Sequence, residues 1–181
     1  MDLSGSMTGI LGSTVKLDLI KNTLLELMQQ WAQIQTPPVQ VGLRVFGSES
    51  PVTEKKCDDT KLIYPINAIQ LPKIQEQVTP LEAKGESPIT ESLKEATKDL
   101  ALSPTQDKVI LLLTDGADTC NQDPCALMDE WKKEGKHPIV HVIAFDLSQS
   151  DEPSLRCIAE KTGGEFFLAR TDGELVSTLD Q

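Results

Sequence analysis

Three short polar clusters hold the residues able to do chemistry in this 181-residue chain: Asp2-Leu3-Ser4-Gly5-Ser6, Gly85-Glu86-Ser87-Pro88 and Thr114-Asp115-Gly116. Together they offer carboxylates and hydroxyls, with no histidine or thiol required. Oxygen donors of this kind suit a hard divalent cation, Mg²⁺ first and Mn²⁺ or Ca²⁺ as alternatives, rather than zinc. In the first cluster an extended backbone sends alternate side chains the same way, so Asp2, Ser4 and Ser6 aim at one point while Leu3 turns into the protein. A cation held by few carboxylates stays electron-poor and binds an incoming carboxylate strongly. Taken singly, Asp2 and Asp115 could cap helices and Ser87 could be an N-cap; taken as a set they point to a metal.

These clusters need a scaffold that brings them together. Leu17, Ile20, Leu24, Leu27 or Met28, and Trp31 recur at helical spacing, and Pro37-Pro38 ends that helix. Val39, Val41, Leu43 and Val45 alternate with other residues as a strand through Phe46. Leu62-Ile63-Tyr64 reads as a short strand stopped by Pro65, and about Asn67 to Val78 as a helix kinked at Pro72. Ser87-Pro88 opens a helix with Ile89, Leu93, Ala96 and Leu100 on its buried face. Val109 to Leu113 is a continuous apolar run, as in a parallel strand covered on both faces.

Further along, Asp123-Pro124 starts a helix that Gly135 ends, and Ile139 to Phe145 is a strand. Asp151 or Glu152 before Pro153 starts a helix stopped at Gly163-Gly164. Glu165 to Leu168 is a short strand, and Asp172 caps a last helix through Leu175 and Leu179. Alternating strands and helices predict a doubly wound α/β sheet in one domain, residues 1–181. Ligands in such sheets sit beyond the carboxyl ends of the strands, where all three clusters fall.

Composition narrows the function classes. Seventeen Lys and Arg stand against 28 Asp and Glu, a net charge of −11. That balance disfavours bare nucleic acid and anionic membrane surfaces, since phosphate contact needs clustered basic residues. Hydrophobic residues make up 39% of the chain, enough for a core, and no apolar run approaches the roughly 18 residues of a membrane span. Gly5-Ser6-Met7-Thr8-Gly9 has its serine one place too early for a nucleophile elbow, and neither a Walker motif nor a dinucleotide glycine fingerprint occurs. The leading enzymatic alternative is a metal-dependent hydrolase using Asp2, but the three clusters contain no general base. His137 and His141, Trp31 and Trp131 read as structural, and Asp118 as a solvated loop acid.

Asp2-Leu3-Ser4-Gly5-Ser6-Met7, Gly85-Glu86-Ser87-Pro88 and Leu113-Thr114-Asp115-Gly116, in that order and spacing, resemble a von Willebrand factor type A (vWA) domain with a metal-ion-dependent adhesion site. The resemblance runs from Asp2 to about Leu179. It implies a Rossmann-like, mostly parallel six-stranded sheet with one antiparallel edge strand, at Leu62-Ile63-Tyr64. It maps the metal ligands onto Asp2, Ser4, Ser6 and Asp115, the last direct or through water, and the middle-loop hydroxyl onto Ser87, with Thr90 as the alternative. It implies a non-enzymatic binding module in which an Asp or Glu of a partner protein bonds the cation. A scaffold domain with a vestigial metal site is the further alternative.

Thr114 to Cys120, Asp123-Pro124-Cys125 and Leu155 to Glu160 resemble secreted bacterial members of the family, which implies disulfides and an extracellular or periplasmic location. By count alone, Cys57, Cys120, Cys125 and Cys157 allow three complete pairings, or free thiols. A bond between Cys120 and Cys125 would rigidify a short loop, and Cys125 with Cys157 is also open. Finally, Asp2 reads as the end of a buried strand, yet only Met1 precedes it. A central strand between Val39–Phe46 and Val109–Leu113 is therefore expected to be missing or truncated in this sequence.

Overall fold

The computed structural model describes residues 1–34, 36–103, 108–136, 138–171 and 174. His137 and the expected last helix from Asp172 lie outside the described residues.

The elements follow in the order β1 (Ile10–Leu11), β2 (Thr14–Val15), α1 (Lys16–Trp31), β3 (Gln40–Phe46), β4 (Thr60–Ala68), α2 (Leu71–Val78), α3 (Ile89–Ala101), β5 (Val109–Thr114), α4 (Pro124–Lys133), β6 (Ile139–Phe145), α5 (Glu152–Thr162) and β7 (Phe166–Ala169). β5, β6 and β7 pair in parallel, in that order, with Val109 opposite Ile139 and Val142 opposite Phe166. β3 and β4 pair antiparallel. The hydrogen-bonded strands among the described residues thus form a three-stranded parallel sheet and a two-stranded antiparallel one, beside the small β1–β2 hairpin.

Both faces of the parallel sheet are covered. Along β6, Val140, Val142 and Ala144 enter one core with Leu112, Trp131 and Ile158. Ile143 and Phe145 enter the other, with Leu113, Ile20 and Leu24. Successive strand residues point to opposite faces, so one apolar run feeds two cores. On α1, Leu19, Ile20, Thr23, Leu24, Leu27 and Met28 form a single buried stripe.

Two boundaries differ from the sequence reading, both at prolines. β4 does not stop at Pro65 but continues to Ala68. Register shifts between Val41 and Leu43 and again before Arg44 leave β4 residues without a partner on β3. Pro65 falls in the first of these, where its missing N–H costs no ladder bond. Pro72 does not kink a helix; it lies in the first turn of α2, which begins at Leu71.

Between β3 and β5 runs Met1–Ser4. Met1 N donates to Arg44 O at 2.9 Å, and Phe46 N to Met1 O at 3.2 Å. Leu3 N donates to Phe46 O at 2.8 Å, and Asp2 N to Leu113 O at 2.9 Å. These four residues therefore lie as a short parallel ladder between the two sheets. Toward Gln40 and Val109 the strands bound a cleft of about 750 Å³ walled by Val41, Leu43, Ile110 and Leu112.

Candidate metal centre

Strand ends deliver the first and third clusters to one place. Asp2 is fully buried. Its Oδ1 accepts from Ser4 N at 2.8 Å, and its Oδ2 from the Thr114 hydroxyl at 2.6 Å. Ser6 Oγ donates to Asp115 Oδ1 at 2.7 Å. Ser4 and Ser6 hydroxyls lie 2.9 Å apart, and because the Ser6 proton goes to Asp115, Ser4 is the donor of that pair. An unbroken line of oxygens thus runs from Ser4 through Ser6 to Asp115, beside the Asp2 carboxylate. Burial, and after it the charge of Asp115, pushes the Asp2 carboxyl up to about 6.

The second cluster is stitched to the first and to the loop that follows the third. Ser4 forms a parallel bridge with Gly85, and Gly5 N donates to Gly85 O at 2.9 Å. Ser87 N donates to Thr119 Oγ1 at 2.8 Å, and the same hydroxyl donates to Glu86 Oε2 at 2.6 Å. Thr119 N returns to Ser87 O at 3.2 Å. Ser87 is buried, and its side chain makes no capping bond to α3, contrary to the N-cap reading. The orphan amide of Thr90 is satisfied from another loop: Asp118 Oδ2 accepts it at 2.8 Å, while Asp118 Oδ1 takes Cys120 N at 2.8 Å. Asp118 is therefore a half-buried structural acid, not a solvated one. Thr90 Oγ1 is buried without a hydrogen-bond partner.

Gly47 makes this crossing possible. Its φ is +74°, and a Cβ there would lie 2.5 Å from Glu86 O and 2.9 Å from the Ser4 backbone. Gly47 O meanwhile accepts from Lys84 N and Gly85 N. Only glycine accepts that backbone angle and that approach together.

The cysteines brace the same edge. Cys57 is bonded to Cys120, and Cys125 to Cys157, with Cα separations of 5.6 and 5.7 Å. The Cys120–Cys125 bond does not form; each of the two pairs with a cysteine distant in sequence instead. The first bridge ties the loop after β3 to the loop after β5, and the second ties α4 to α5. Asp123 caps α4 as expected, accepting from Cys125 N and Ala126 N.

Among the described residues no three His, Cys, Asp or Glu side chains gather into a metal-binding group. Asp2, Ser4, Ser6 and Asp115, with Ser87 on a neighbouring loop, instead offer hydroxyls and two carboxylates. Such all-oxygen chemistry, with a buried acid still short of compensating charge, fits a hard divalent cation.

Sequence reasoning missed Lys16 and Thr119 as members of the site; Thr114 was placed in the third cluster, but its bond to Asp2 was not foreseen. Lys16 and Thr119 gave no signal, since only the fold brings them to the acids and loops they touch.

The von Willebrand factor type A domain family profile matches residues 1–181, so the chain belongs to that family. It is 27% identical over 186 aligned positions to the Bacillus subtilis (strain 168) protein YwmC, covering all of this chain and 79% of that one. Among solved structures it resembles a von Willebrand factor type A protein from Catenulispora acidiphila, with a TM-score of 0.72 and 20% identity. That match covers 98% of this chain and spans 39% of the other. Manganese-loaded Plasmodium vivax TRAP protein gives a TM-score of 0.66 at 18% identity, over 100% of this chain and 69% of that one. These structural likenesses establish the Rossmann-like α/β fold.

Proposed function

We propose that this domain is a non-enzymatic, cation-dependent protein-binding module. Asp2, Ser4, Ser6, Ser87 and Asp115 would hold one divalent ion, Mg²⁺ first, with Mn²⁺ or Ca²⁺ able to substitute. Thr90, with its unpartnered buried hydroxyl, is the other source for the middle-loop ligand. The observation that carries the reading is the oxygen line Ser4–Ser6–Asp115 alongside the buried Asp2 carboxylate. When bound, the ion supplies a Lewis-acid position for a partner's Asp or Glu. The chain's own residues orient that position at the strand ends, where Ser6 is the exposed member of the set. The manganese in the TRAP structure supports a divalent cation in this fold.

The hydrolase alternative draws no base from the lysine at the site. The amine nearest the acids is Lys16. Burial alone would lower its pKa, but its hydrogen bonds to Asp146 and Asp115, and their charges, outweigh that and keep it protonated. The two disulfides support an extracellular or periplasmic setting. No helix among the described residues is long and apolar enough to cross a membrane.

The test is thermal unfolding during Mg²⁺ and Mn²⁺ titration. Ligand at about a hundred times its Kd stabilises by about 2.7 kcal/mol. The wild-type melting point should rise accordingly, and that of Asp2→Ala should not. No shift with either ion sinks the metal reading. Partner capture that ignores chelator supports a scaffold domain instead.

A further inference from the structure

Lys16 occupies a position that elementary electrostatics disfavours. It is the first residue of α1, where the helix dipole presents its positive end, and its side chain is only 10% exposed. Burying an ammonium there costs stability unless acids answer it. Two do: Asp115 Oδ2 at 3.0 Å and Asp146 Oδ2 at 2.6 Å. Asp146, just after β6, holds a left-handed backbone with φ of 52°, an uncommon conformation for a residue with a side chain. Both oxygens of Asp115 are thus engaged, one by Ser6 and one by Lys16.

We propose that Lys16 is a built-in counter-cation that grips Asp115 and sets the net charge, and hence the divalent-ion affinity, of the site. The inference rests on the cation-binding reading above. Asp2, Asp115 and Asp146, when ionised, carry three negative charges against the one positive charge of Lys16; a single divalent ion balances the remainder. Lys16 acts through Asp115, so it is a positioning residue and not a ligand. Its removal leaves the acids less compensated, which weakens the metal-free fold and strengthens cation binding. Removal of Asp146 does the reverse to the cation, because Lys16 then weighs on Asp115 alone.

The test measures Mn²⁺ affinity by calorimetry, and melting temperature in chelator, for the wild type, Lys16→Met, Lys16→Arg and Asp146→Asn. Lys16→Met should bind Mn²⁺ roughly tenfold tighter or more and melt lower in chelator. Asp146→Asn should bind Mn²⁺ at least about fivefold more weakly. Lys16→Arg should restore wild-type behaviour in both measurements. A purely structural lysine would not shift affinity in opposite directions in the two variants. If the wild type binds Mn²⁺ and Lys16→Met and Asp146→Asn both bind equally well or both bind more weakly, the inference is overturned while the cation-binding reading stands. Should Lys16→Met fail to fold, unchanged Mn²⁺ affinity in Asp146→Asn overturns it alone. Wild type that binds no Mn²⁺ removes the cation-binding reading, and this inference with it.

Discussion

Thr114, the last residue of β5, donates its hydroxyl to Asp2 Oδ2 at 2.6 Å, so the strand that delivers Asp115 also holds the other buried acid of the site. The bond is fully buried, and its acceptor already lacks charge compensation. Thr114→Val should leave that oxygen unsatisfied and cost about 1–3 kcal/mol in chemical denaturation. Thr114→Ser, which keeps the hydroxyl, should recover most of the loss.

Asp2 makes stability depend on pH in an unusual direction for an aspartate. Its carboxyl rises from 3.8 in an ordinary setting to about 6 in the fold. Folding therefore favours the protonated form. That contribution is complete below pH 3.8 and is lost as pH climbs through about 6, amounting to about 3 kcal/mol across the window. In chelator, the stability of wild type relative to Asp2→Asn should fall by that order between pH 4 and 7. Added Mg²⁺ should restore the wild type at pH 7 and have little effect near pH 4.5, where Asp2 holds its proton.

Gly47→Ala tests the crossing of three loops. The added Cβ would meet backbone atoms at 2.5 and 2.9 Å under a positive φ. A loss of about 1–3 kcal/mol is expected from the strained backbone alone. Gly116→Ala, where a Cβ meets nothing within 4 Å, should melt close to the wild type.

Each disulfide should contribute to stability through the loop it closes. With sequence separations of 63 and 32, the chain-entropy relation gives about 4 kcal/mol for either bridge. Mass spectrometry of unreduced peptides should find Cys57 with Cys120 and Cys125 with Cys157. Paired serine replacement of Cys57 and Cys120 should also weaken Mg²⁺ binding, since it frees the loop carrying Asp118 and Thr119. The same change at Cys125 and Cys157 should lower the melting point and leave Mg²⁺ affinity close to wild type.

Much of this was legible in the residues. The apolar run Val109 to Leu113 announced a strand covered on both faces, and β5 is buried from Leu112 to Thr114, whereas Val109 at its start is exposed. Acid-Pro pairs at Asp123 and Glu152 marked the starts of α4 and α5, because proline's fixed φ suits a first helical turn. The meeting of Ser4, Ser6 and Asp115 followed from loops placed at strand ends. What was not legible depended on contacts made across the fold. Ser87 looked like a cap, yet the cap came from Asp118, 28 residues on from Thr90. Pro65 looked like a stop, yet the register shift that tolerates it is visible only with β3 alongside. Lys16 carried no signal of its own, since only the fold sets Asp115 and Asp146 beside it.

The Met1–Ser4 ladder has a mechanical corollary. Its hydrogen bonds reach Arg44 and Phe46 on one side and Leu113 on the other. A tug on the Ser4–Ser6 turn is directed along that segment, so it strains these bonds side by side, in shear, instead of peeling them one at a time. Whatever grips this turn pulls on the middle of the molecule and not on a loose surface flap.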